Sequence, residues 1–210
     1  MSARRGGIPS HDQDLCGLRV DGPLPRRPPR ELRRGDGPGP APGQVLERLG
    51  AGPVDPPRVT GAEAVHEYEL DGWEGSGDLV GVFAAGDWAV AFEPGCHRLA
   101  DHDTLVRLSA GTRLVAHSST INGHDRFTWR EDGGERLSFP LSSSDGRELP
   151  TTGEIVDAMR AVGFRFEEGD AEREESIALA FAPAEHLTGV ELTEEVFEES
   201  EHLLGGVAAV

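Results

Sequence analysis

Gly86-Asp87-Trp88-Ala89-Val90-Ala91-Phe92-Glu93-Pro94-Gly95 reads as a strand that arrives from a tight turn and ends at a Pro-Gly stop. Leu79 to Ala84 is a second apolar run just upstream, and the Gly86-Asp87 pair between them predicts a hairpin. Downstream, Leu105, Val106 and Leu108 give Asp101 to Leu108 a helical apolar face, and Ser109 to Gly111 end it. Thr112 to Ser118, rich in β-branched and apolar residues, follows as a strand. Arg126 to Arg130 and Arg136 to Leu141 flank Asp132-Gly133-Gly134, the clearest hairpin signal in the chain. About five antiparallel strands are expected from these segments.

On the N-terminal side of that core, Val45, Leu46 and Leu49 share one face of a helix that Gly50 stops. Pro53 to Pro57 reads as a turn. Thr60 then opens a short helical stretch that carries Ala64, Val65 and Tyr68. The C-terminal third reads as helical. Thr151 and Glu154 have capping-box spacing, and a second helix from about Glu174 to Leu187 is interrupted by Pro183. Thr193 caps a third helix with Val196, Phe197 and Leu203. The predicted architecture is α+β, an antiparallel sheet of about five strands with helices packed on one face and a disordered N-terminal tail. The expected divisions are a tail over 1–43, a single domain over 44–204 and a flexible C-terminus over 205–210.

The tail is marked by its composition. Residues 1 to 43 hold eight Pro and eight Gly, and so few apolar side chains cannot offset the entropy of ordering. Such a segment suits a linker, or the translation of GC-rich DNA in a wrong frame. With 210 residues, 37% of them hydrophobic, the remainder suits one globular domain. No lysine occurs, and the abundance of Arg, Gly, Pro and Ala is that of a high-GC bacterial genome.

Charge divides the chain in the same place. The tail carries +3 and residues 44 to 210 carry −21, for a net −18. A surface of that sign repels phosphate backbones, so nucleic acid is not an expected partner. Without lysine no Gly-Lys-Ser/Thr phosphate loop can form, and no Gly-x-Gly-x-x-Gly opens a helix after a strand, which argues against nucleotide binding. No apolar run approaches the roughly 18 residues of a membrane span. Cys16 and Cys96 sit in different contexts and predict no disulfide between them, so a reduced, cytoplasmic setting is expected.

Four segments taken together, Gly86 to Gly95, Leu108-Ser-Ala-Gly-Thr-Arg-Leu-Val115, Phe127-Thr-Trp-Arg-Glu-Asp-Gly133 and Leu187-Thr-Gly-Val-Glu-Leu-Thr193, resemble in order and spacing a bacterial family of the high-GC, actinobacterial type, domain of unknown function 6461. The resemblance covers about Val45 to Glu199. It implies a cytoplasmic α+β domain and assigns no activity. It also implies a Trp-containing segment and an apolar strand before the helix of Leu46 and Leu49, where this chain has Pro-rich sequence. An Asn-x-Asn pair of the family is replaced here by Thr120-Ile121-Asn122.

Few residues carry a chemical signature. Cys96, His97, His102, Asp101 and Asp103 lack the two closely spaced ligand pairs of a structural zinc site, so no metal is expected. No serine lies in a Gly-x-Ser-x-Gly elbow. No catalytic residue and no cofactor is therefore assigned. The candidate binding residues are Glu93 at the strand end and His117, Asn122 and His124 near the end of the next strand, where a histidine beside carboxylates suits acid–base work. Glu93 equally suits the task of tying down its turn by accepting backbone hydrogen bonds. The expected function is a non-enzymatic, acidic binding or regulatory module that meets a basic protein, an immunity-type inhibitor being one version. The alternative is a small cofactor-independent hydrolase or transferase using a His/Glu cluster.

Overall fold

Among the described residues, eight strands, every neighbouring pair antiparallel, form one sheet in the order β2-β8-β3-β4-β1-β5-β6-β7. The strands are β1 (Cys16–Pro23), β2 (Gly52–Thr60), β3 (Gly77–Ala85), β4 (Trp88–Glu93), β5 (Thr112–Ser119), β6 (Asp125–Glu131), β7 (Gly134–Pro140) and β8 (Glu201–Ala208). Helices are α1 (Pro42–Leu49), α2 (His102–Leu108) and α3 (Glu194–Glu199), with short helical segments at 61–64 and 183–188. The structure is a computed structural model, and it describes residues 16–23, 39–64, 77–93, 97–119, 125–140, 181 and 183–208. The helix expected after Thr151 lies outside the described residues.

The α+β class and the antiparallel sheet are as the sequence predicts, and the five expected strands are β3 to β7. Both hairpins form where the turn residues place them. Gly86 takes φ 62° between β3 and β4, while Asp132 and Gly133, at φ 47° and 76°, make the doubly left-handed turn that joins β6 to β7. The Asp132 carboxylate also accepts the Gly111 N–H at 2.9 Å, which fixes the turn to the loop after α2.

Three further strands correct the expectation, each for a local reason. Residues 16–23, part of the segment expected to be a disordered tail, pair as β1 between β4 and β5. The short apolar alternation of Cys16-Gly-Leu-Arg-Val is hidden within Pro-, Gly- and Arg-rich surroundings. Pro53 to Pro57 belongs to β2 and not to a turn. Among the described residues β2 has β8 as its only partner, and the register slips between Pro53 and Arg58, so the missing proline N–H groups break no ladder on both sides. The third helix stops at Glu199, and Leu203 belongs to β8, which continues through residues 205–208 expected to be a flexible end. Gly205 is required there, because a Cβ would lie 2.9 Å from both the Ala51 Cβ and a Leu46 methyl. That glycine lets α1 lie directly on the sheet.

β1 and β8 occupy matching positions. β4 and β5 run parallel to each other with β1 between them, and β2 and β3 run parallel with β8 between them. Parallel neighbours of this kind need a crossover, which α2 supplies between β4 and β5.

Side-chain alternation sorts the sheet into two layers. Val80, Val82, Ala89, Ala91, Leu114, Ala116 and Val207 face α1 and α2, which contribute Val45, Leu46, Leu49, Leu105 and Leu108 to an aliphatic core. Trp88, Val115, Phe127, Trp129, Leu137 and Phe139 face the other way, against Ala184 and Leu187 of 183–188. Phe83 and Phe92 of that same face meet Phe197 of α3 edge-on, at 6.1 and 5.1 Å between centroids. Helical segments therefore cover both faces and not one, because the strands alternate large apolar residues to both sides. Full burial of a leucine such as Leu108 or Leu114 stabilises by about 1.5–3 kcal/mol.

Candidate functional site

Glu93 ends β4 on the aliphatic face, in phase with Ala89 and Ala91, and is 1% exposed. Its carboxylate accepts the Arg98 N–H at 3.0 Å on both oxygens and the Leu99 N–H at 2.7 Å. It holds the chain entering α2, and Leu99 beside it is fully buried. A few residues on, Asp101 caps α2 by accepting the Thr104 N–H at 2.8 Å, and that bond holds its pKa below the usual aspartate range. His102 Nδ1 lies 3.0 Å from Arg130 Nη2. Cys96 lies outside the described residues. Among the described residues no group of three His, Cys, Asp or Glu is placed to hold a metal ion.

His117 sits on β5 in phase with Arg113 and Val115, on the aromatic face, with its ring 6.2 Å from that of Phe181. Glu93 is aligned through Cys16 of β1 with Ser118, the residue after His117. Successive residues of a strand point to opposite faces. Glu93 and His117 therefore face opposite sides of the sheet. Asn122 and His124 lie outside the described residues.

A cleft of about 210 Å³ opens on the aromatic side at the β3–β4 turn, lined by Ala85 to Trp88, Arg113 and Thr188 to Val190. Arg113 lies over the Trp88 ring at 5.2 Å and is 7% exposed. Burial lowers the pKa of its guanidinium and the nearby Glu131 carboxylate raises it again. The cleft thus offers a cation, an indole and the exposed Asp87, with no nucleophile paired to a base.

Beyond the cleft lies the most unusual surface. Thr193 caps α3 by accepting the Val196 N–H at 3.1 Å, and α3 has acids in both turns and no basic residue in its last one. Glu191, Glu195, Glu198 and Glu199 are exposed, Glu194 is half-exposed, and Val196 among them is 38% exposed. Among the described residues these five carboxylates form no ion pair, whereas Glu201 just beyond them pairs with Arg58. Beneath α3 lies His202 of β8, fully buried between Phe83 at 4.6 Å and Phe197 at 4.8 Å. Its Nε2 donates to the Phe197 carbonyl at 3.0 Å, its Nδ1 has no partner among the described residues, and burial lowers its pKa.

Arg113 and His202 carry no motif, but a period of two could have found the first. Residues 113, 115 and 117 alternate within a strand that the sequence predicts, which puts Arg113 on the His117 face. No comparable signal was available for His202, because Gly205-Gly206 obscures the strand. Trp88 and Trp129, at 4% and 7% exposure, pack in the core.

Comparison with known families matches residues 38–210 to a family of unknown function (DUF6461), and the chain belongs to it. No curated protein matches the chain, and no solved structure does.

Proposed function

We propose that this member of the family is a non-enzymatic binding module whose acidic surface, centred on α3, receives a basic segment of a partner protein. The observation that carries the reading is the set of five carboxylates that, among the described residues, have no ion pair around the exposed Val196. Glu194 and Glu198, and Glu195 and Glu199, are like charges four residues apart on a helix, each such pair opposing it by about 0.2–0.5 kcal/mol. Glu198 and Glu199 also lie at the negative end of the helix dipole. Nothing within α3 compensates for either effect. A cationic segment laid along the helix would remove both at once, and Val196 would give it an apolar contact. The charge of −21 over residues 44–210 would draw such a partner in at a rate that falls as salt rises.

The hydrolase or transferase alternative needs Glu93 and His117 to share a pocket, and the sheet stands between them. Capture from native lysate tests the binding reading, with the wild-type chain and a variant carrying Glu194→Gln, Glu195→Gln, Glu198→Gln and Glu199→Gln as parallel baits. A basic protein retained by the wild type at low salt and lost by the variant is the expected result. Recovery of no protein, or equal recovery by both baits, would count decisively against it.

A further inference from the structure

We propose that His202 is a proton-operated latch that holds α3 on the sheet while it is neutral and releases it when it is protonated. Three observations converge on this residue. It is fully buried on β8, one of its ring nitrogens donates to the backbone of α3 at Phe197, and the other has no partner among the described residues. Its ring also stacks on Phe83 and meets the Phe197 ring edge-on, so the same imidazole makes both the polar and the aromatic contact to the helix. α3 is otherwise held by Phe197 against Phe83 and Phe92 and by the Gly61 N–H bond to the Ser200 carbonyl, and none of its residues is fully buried.

A proton added to His202 goes to Nδ1, because Nε2 already carries one. It creates a buried N–H without an acceptor and a charge without a counter-ion, both of which disfavour the closed arrangement. Among the described residues the surroundings offer no rescue in place. β3 and β4 present Leu79, Phe83 and Phe92 to this region, and β2 presents Val59 opposite His202. The Arg58–Glu201 pair is out of phase with His202 and belongs to the opposite face. Glu63 of 61–64 is exposed and bonded to Thr60. On α3, Glu195, Glu198 and Glu199 are exposed and Glu194 is half-exposed, and among the described residues none of the four bonds to His202, whose α3 partner is the Phe197 carbonyl.

The direction with pH follows from that asymmetry. The folded-state pKa of His202 is depressed below the ordinary 6.5 by burial. The closed state's advantage is therefore complete above the ordinary histidine value and is lost as pH falls from there through the folded-state value. The consequence for binding rests on the acidic surface of α3 being the docking surface, as proposed above. Lifting α3 would remove that surface from its framework, so partner affinity would weaken in the same pH window.

Amide hydrogen exchange on the protein alone, with no partner present, tests the latch separately from the binding reading. After correction for intrinsic rates, protection of the amides from Val196 to Ser200 is expected to fall about tenfold per pH unit below about 6 in the wild type. It is expected to be independent of pH in His202→Phe, which keeps the ring but cannot take a proton. Equal pH dependence in the two proteins would overturn the proposal. Should His202→Phe not fold, imidazole NMR on the wild type decides. A His202 titration midpoint below that of a free histidine, accompanied by shifts in the α3 amides, supports the latch, and titration at the free value with α3 unmoved overturns it.

Discussion

On one face of the sheet, α1 and α2 bury Val45, Leu46, Leu49, Leu105 and Leu108 in an aliphatic layer, and polar anchors finish the packing. Arg48 donates to the Leu108 carbonyl at 3.0 Å, and Glu93 binds the chain leading into α2. On the other face α3 buries no residue completely and rests on Phe197 and the His202 bond. The first covering is part of the core, while the second is a light element that carries four carboxylates without an ion pair among the described residues. On the proposed reading, stability and recognition would fall to opposite sides of one sheet, and local opening belongs to the side with fewer buried contacts.

The largest blow to that comparison should come from Glu93→Ala. It would leave the Arg98 and Leu99 N–H groups without their acceptor in the closed face, at a cost of about 3–4 kcal/mol. Glu93→Gln, which keeps one acceptor oxygen, should cost roughly half as much. Urea unfolding measures both. A cost below about 1 kcal/mol for the alanine variant would show that the aliphatic face does not depend on its polar anchor.

Gly61→Ala probes the other face. A Cβ at Gly61 would sit 1.9 Å from the Phe197 carbonyl oxygen, so the segment 61–64 and α3 would have to separate. Overpacking of this kind costs about 1–3 kcal/mol. The expected signature is local. Exchange protection in α3 should drop while the amides of β5 and β6 keep theirs, whereas Glu93→Ala should lower protection throughout. A uniform loss in Gly61→Ala would mean that the two faces open together.

The same contrast decides what could be read from the sequence. β3 to β7 were legible because their turn residues are explicit and their apolar residues run continuously or alternate over whole strands. α1 was legible because Val45, Leu46 and Leu49 share a face and Gly50 stops it. β1 and β8 were not legible, since each fills a gap between two other strands, and its partners lie far away in sequence. Among the proposed site residues, Glu93 was placed correctly at its strand end, and its hydrogen bonds are those expected of a turn anchor. Its separation from His117 follows from register, which depends on β1 and so could not be seen without it. The unpaired state of the α3 carboxylates was equally hidden, because a sequence shows charges but not the distance to their nearest cation.

The smallest effect is the most discriminating, since it has the opposite sign. Glu198→Gln combined with Glu199→Gln removes two like-charge contacts and two charges from the unfavourable end of the α3 dipole. Stability should rise, by a few tenths of a kcal/mol at low salt, and the gain should shrink as salt screens the repulsion. Thermal unfolding of the double variant and the wild type at low and high salt measures it. A residue kept for stability would not behave this way. If the variant is instead less stable, or its gain ignores salt, the acids of α3 support the fold, and the division between a structural and a recognising face fails at its most exposed point.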